Sequence, residues 1–142
     1  MSRTQTTNSP NPEPPPADML DAAEARPEDR VLLVRGGPEL LCSALRHGCR
    51  SAVTVTVPPR HPEPADLVVA PAIVTRAEAE EVAESASRAL GKGGRLVLML
   101  RGAAVKTARR LRLHLHAHGF SRVRLSAGTD GAVLLLCRFG TR

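Results

Sequence analysis

From Arg30 onward the apolar positions switch between two spacings, and the switches mark out the elements. "RVLLV" (30–34) is a continuous apolar run of the kind shown by a strand buried on both faces. "PELLCSALRHG" (38–48) places Leu41, Ala44 and Leu45 at helical spacing, with Pro38 suited to a first turn and Gly48 to a C-terminal cap. "SAVTVTV" (51–57) is β-branched and alternating and predicts a second strand; "DLVVA" (66–70) predicts a third. In the next helix Thr75 and Glu78 have capping-box spacing, and Ala79, Val82, Ala83, Ala86 and Leu90 continue an apolar stripe to Gly91. "GGRLVLML" (93–100) reads as a turn and a fourth strand. "AAVKTARRLRLHLHAHG" (103–119) reads as a basic helix with Ala104, Ala108, Leu111 and Leu115 inside. "FSRVRL" (120–125) and "GAVLLLCRF" (131–139) flank an Asp130-Gly131 turn signal, which predicts a closing antiparallel pair.

Upstream, "ADMLDAAEAR" (17–26) predicts a short helix stopped by Pro27. Residues 1–16 are a Ser/Thr/Asn/Pro tail with too little apolar surface to offset chain entropy, and are expected to be disordered. Residues 17–142 then form one domain. Alternating strands and helices before a terminal hairpin predict an α/β three-layer sandwich with a mostly parallel sheet, the first strand lying between the second and third.

Composition narrows what such a domain can do. Phe120 and Phe139 are the sole aromatics, so a site that stacks a base between rings has little to use. No apolar run approaches the roughly 20 residues of a membrane span. The N-terminal residues lack a hydrophobic signal segment, so a soluble, cytoplasmic protein is expected. Cys42, Cys49 and Cys137 lack metal-ligand spacing and read as buried reduced thiols. Charge is uneven: residues 1–87 carry 8 Lys/Arg against 13 Asp/Glu, a net of −5, whereas residues 88–142 carry 12 against 1, a net of +11. Lys106, Arg109 and Arg110, on the basic helix, are the candidate polyanion-binding residues. Arginine outnumbers lysine 18 to 2, a bias that codon usage alone can produce, so a solvated surface is favoured over a dedicated binding patch.

Four stretches in order resemble the class I S-adenosylmethionine-dependent methyltransferases, a Rossmann-like family. "PEDRVLLVRGG" (27–37) is similar to the family's first strand and glycine loop. "ADLVVAPAIV" (65–74) is similar to the strand bordering its active site. "ALGKGGRLVLML" (89–100) and "HAHGFSRVRLSAGTDGAVLLLCRF" (116–139) resemble its fourth turn and strand and its closing hairpin. The resemblance implies the family's sheet without its third strand and flanking helices, since eight residues between Val57 and Asp66 are too few for them. That missing segment is the one that supplies the adenine pocket.

The resemblance also fixes the candidate cofactor residues. Gly36 and Gly37 match the glycine loop, though Arg35 and Pro38 depart from its pattern and a plain strand-to-helix turn is the favoured reading. The acid that orients the methionine moiety is replaced by Leu33. Glu63 is the sole acid near enough to take the ribose-binding role. Near "APAI", Pro71 matches the amino-methyltransferase pattern while Ala70 and Ile73 carry no catalytic group, and Asp66 reads as a strand-start residue. His114 and His118 share a helix face, but two ligands without a neighbouring carboxylate or cysteine make no metal site, and none is expected.

Three functional readings remain. One is a degenerate methyltransferase fold, without chemistry, kept as a binding or assembly module with a protein partner or a second copy of itself; S-adenosylmethionine binding is then weak or absent. A second is a small methyltransferase whose cofactor pocket a partner chain completes. The third is an Arg-rich protein that associates weakly with nucleic acid. No residue is singled out as catalytic.

Overall fold

The computed structural model describes residues 19–20, 22–35, 38–46, 48–49, 51–55, 64–128 and 131–140. Six strands form one sheet: β1 (Arg30–Val34), β2 (Ser51–Val55), β3 (Ala65–Ile73), β4 (Leu90–Leu100), β5 (Phe120–Ala127) and β6 (Val133–Phe139), in the order β2-β1-β3-β4-β6-β5. The first four run parallel, and β6 is antiparallel to both β4 and β5. The helices are α1 (Pro38–Arg46), α2 (Arg76–Ala89) and α3 (Ala108–Ala117). This is the expected three-layer arrangement, with β1 between β2 and β3. Among the described residues no strand lies outside β2, as the missing third strand requires. The expected tail, 1–16, lies outside them.

Two apolar layers hold the sheet. On one face α2 and α3 pack through Ala79, Val82, Ala83, Ala86, Leu111 and Leu115 onto Val68, Leu96, Leu98 and Leu135. Phe120 and Phe139 join this layer with ring centroids 5.2 Å apart. On the other face α1 and the N-terminal segment bring Leu40, Ala44, Met19 and Leu20 onto Leu33, Leu67, Val69 and Val97. At about 25 cal/mol per Å² of apolar surface, each fully buried leucine among these contributes on the order of 2 kcal/mol.

Several boundaries differ from the expected ones for identifiable reasons. The N-terminal helical turn has given way by Glu24, whose backbone is left-handed at φ 55°, ahead of Pro27. In α1 the buried line is Leu40–Ala44; Leu45 is 54% exposed, because one position around a helix is a rotation of about 100°. Helix α2 ends at Ala89 and Leu90 is already extended, so the glycine turn is drawn into the start of β4. Strand β3 runs on through Pro71, which lacks an N–H for the ladder. It is tolerated because β1 pairs no farther than Val69 and the register with β4 slips between Ala70 and Ile73. The basic helix opens as a 3₁₀ segment, Gly102–Thr107, before α3. Cys49 and Cys137 are buried, but Cys42 is exposed, contrary to the expectation for all three.

Candidate functional site

In an open α/β sheet, ligands bind beyond the carboxyl ends of the strands at the point where the chain order reverses. Here that point lies between β1 and β3, since β1 leads outward to β2 on one side and β3 lies on the other. Arg35 leaves β1 in a left-handed conformation, φ 53°, and its N–H donates to the Val55 carbonyl at 2.7 Å, tying the exits of β1 and β2 together. A non-glycine residue in that region carries strain of about 1–2 kcal/mol.

Across the crevice, α2 begins with the capping box that the sequence predicts. Thr75 accepts from the Glu78 N–H at 3.1 Å, and Glu78 Oε1 accepts from the Thr75 N–H at 3.3 Å and the Val74 N–H at 3.0 Å. The other carboxylate oxygen, Oε2, accepts from Arg35 Nη1 at 2.6 Å. Glu78 therefore spans the switch point. Its carboxyl is held below the usual 4.5, first by the Val74 amide and then by the Arg35 guanidinium. With side chains 45% and 23% exposed, the pair adds little stability; it links the end of β1 to the start of α2.

Gly36, Gly37 and Glu63 lie outside the described residues. Leu33, at the position where the resemblance places the methionine-orienting acid, is fully buried among apolar side chains. Asp66 accepts from the Arg30 N–H at 2.9 Å, at the amino end of β1 and away from the crevice, which is the strand-start role expected of it. Ala70 and Ile73 are core residues. Lys106, Arg109 and Arg110 are all exposed. Lys106 and Arg109 share an open hollow of about 400 Å³ with Leu125 and Val133.

The histidines require a correction. His114 and His118 stack with ring centroids 4.4 Å apart, and α2 supplies the carboxylate the sequence reading lacked, with Glu84 Oε2 3.5 Å from His114 Nε2. The three donor atoms lie within 4.8 Å of one another. Zinc bonds of about 2.0–2.1 Å need tetrahedral donors about 3.4 Å apart, so this grouping must contract before it holds a metal.

Two features escaped the sequence reading. The first is the pairing of Arg35 with Glu78, because Glu78 had a sufficient role as a cap. The second is Arg95, buried within β4. Nη1 donates to the carbonyls of Ala23 at 2.5 Å and Glu24 at 2.7 Å, and Nη2 donates to Asp29, which also accepts from the Arg26 N–H at 2.8 Å. A lone arginine inside "GGRLVLML" was the available signal, since a charge in a buried strand demands a partner. Neither buried cysteine is placed to react: burial pushes the Cys137 thiol up to about 12 and raises Cys49.

No protein-family model and no curated protein matches the sequence. Solved structures do match. An O-methyltransferase from Thermotoga maritima, described as SAM-dependent, is 11% identical with a TM-score of 0.66, over 100% of this chain and 69% of that one. SMU.1697c, a putative methyltransferase from Streptococcus mutans in complex with SAH, is 13% identical with a TM-score of 0.59, over 87% of this chain and 94% of that one. Human N-acetylserotonin methyltransferase in complex with SAM is 14% identical with a TM-score of 0.59 over 89% of this chain; the chain spans about half (52%) of its length. The fold is thus the Rossmann-like fold of the class I methyltransferases, here with six strands and a closing antiparallel hairpin. Among the described residues no helix is long and apolar enough to cross a membrane.

Proposed function

We propose that the chain is a methyltransferase-fold domain without methyl transfer of its own, acting in the cytoplasm as a binding or assembly module for a protein partner or a second copy. The observation that carries this reading is the Arg35–Glu78 pair across the switch point. A cofactor in that crevice would have to displace an ion pair and compete for the Val74 and Thr75 amides, both already bonded to Glu78. Leu33 offers it no acid.

The test is calorimetric titration of the full chain with S-adenosylmethionine and S-adenosylhomocysteine. The expected dissociation constant lies above about 100 μM, less than roughly 5.5 kcal/mol of binding free energy. Low-micromolar binding would restore the second reading, a small methyltransferase completed by a partner chain. That reading draws support from the neighbours that carry SAM or SAH and from β2, an edge strand on which Val53 is 51% exposed.

Lys106, Arg109 and Arg110 make an acidic protein surface or a nucleic acid the fitting kind of partner, bound weakly and with strong salt dependence. With two phenylalanines as the sole aromatics, recognition of bases would be poor. Retention on heparin at about 50 mM salt, lost in Arg109→Glu/Arg110→Glu, is the expected result. Absence of retention by the wild type would remove this partner class.

A further inference from the structure

The β5–β6 hairpin carries a second concentration of arginines on the sheet face opposite α3. Simple alternation would put Arg122 and Arg124 on the same side as Phe120, which is buried against α3. A β-bulge prevents this. Between the paired positions Ser121↔Arg138 and Arg124↔Leu136, β5 advances three residues while β6 advances two. The inserted turn is Arg122, held in the left-handed region at φ 55°. Beyond it the phase is reversed: Val123 packs into the α3 layer, and Arg124 stands on the opposite face beside Leu136.

That face already holds two arginines. Arg95 of β4 lies directly opposite Arg138 of β6, a like-charge pairing that destabilises a sheet unless something offsets it. Arg95, Arg122, Arg124 and Arg138 line one cavity of about 360 Å³ together with Glu24 and Leu136. Asp29 neutralises Arg95, and Glu24 reaches Arg138 only at 3.9 Å. Arg122 and Arg124 form no ion pair among the described residues. Four guanidinium groups against two carboxylates leave the cavity with a surplus of two positive charges and several undirected N–H donors.

We propose that this cavity is a binding site for a compact polyphosphate group. Forked guanidinium donors suit phosphate oxygens, a strained backbone that re-aims a side chain is a mark of ligand sites, and a hollow of this size holds a small ligand. The cavity lacks an aromatic side chain, so recognition falls on the phosphates and not on an attached base. The site is separate from the crevice between β1 and β3 and from the cations on α3.

Inorganic triphosphate, titrated calorimetrically and by thermal shift into the full chain at about 150 mM salt, tests the proposal. Saturable binding is expected, weakened by about tenfold or more in Arg122→Gly and in Arg124→Ser. Glycine relieves the left-handed strain at 122, so Arg122→Gly should unfold no earlier than the wild type while binding less, an outcome misfolding cannot produce. Arg112→Ser, at an exposed position on α3, should leave triphosphate affinity unchanged. Absence of saturable binding, binding indifferent to both hairpin variants, or retention of duplex DNA through Arg122 and Arg124 without triphosphate binding would each overturn the proposal.

Discussion

Replacing Asp29 by alanine tests how the N-terminal segment is held to the sheet. Asp29 and Arg95 have side chains 5% and 4% exposed, so the substitution leaves a nearly buried guanidinium without its carboxylate. Breaking one half of a buried pair costs about 3–5 kcal/mol. Arg95 keeps the carbonyls of Ala23 and Glu24 as acceptors, which places the loss near the lower end. The Arg26 N–H also loses its acceptor, which prevents the loss from falling much below that. The expected value is about 3 kcal/mol, a large part of the roughly 5–15 kcal/mol that stabilises a domain, and about 10 °C in midpoint. Urea unfolding followed by circular dichroism measures it. The companion variant Asp29→Ala/Arg95→Met removes both charges and puts apolar volume beside Leu67 of β3, so it should be more stable than the single variant while falling short of the wild type, because the Arg26 N–H and the Ala23 and Glu24 carbonyls stay without these partners. A loss below about 1 kcal/mol in the single variant, or a double variant no better than the single, would refute the view that an uncompensated charge is what the substitution creates.

Arg35→Gly removes both the ion pair and the left-handed strain, so stability should change by less than about 1 kcal/mol in urea; if the pair is what keeps the crevice closed, calorimetry should show S-adenosylmethionine binding more tightly than in the wild type, and unchanged weak binding would place the obstacle at Leu33 or the missing strand. Glu78→Gln retains an oxygen for the Val74 and Thr75 amides but loses the charge. Because the folded-state carboxyl is depressed below 4.5, the wild type's advantage should be present above that pH and vanish as pH falls through the lower folded value; an advantage that persists in acid would show that the charge is not its source. Equimolar zinc should leave the thermal midpoint unchanged, because the Glu84, His114 and His118 donors are too far apart to be a preformed site; a rise abolished by His118→Ala would establish a metal centre.

What the sequence revealed follows from which interactions are local. The strand periods, the Thr75–Glu78 cap, the inner face of α3 and the Asp130-Gly131 turn signal depend on neighbours within a few residues, and the elements they announce are present. The order of strands followed from a resemblance spread over the chain. Partners distant in sequence were not visible: Arg35 meets Glu78 across 43 residues, Arg95 meets Asp29 across 66, and Glu84 meets His114 only once α2 and α3 pack side by side. The β5 bulge was also hidden. Alternating Arg122-Val123-Arg124-Leu125 reads as an undisturbed strand, and only pairing with β6 exposes the extra residue.

A crevice built for a ligand leaves donors waiting, since amides and cations that will meet it need no other partner. At the switch point the Arg35 amide goes to Val55, the Val74 and Thr75 amides go to Glu78, and the Arg35 guanidinium goes to the same carboxylate. Among the described residues, these donors at that end of the sheet are already paired. On the hairpin face the balance is reversed, because Arg122 and Arg124 bring cationic donors to a cavity whose lining acid, Glu24, reaches Arg138, while Asp29 serves Arg95. If the polyphosphate site is as proposed, the capacity to bind an anion lies one strand beyond β4, on a surface shaped by a single inserted residue. A ligand for this protein should therefore be sought by anion chemistry at the hairpin before it is sought by cofactor chemistry at the crevice.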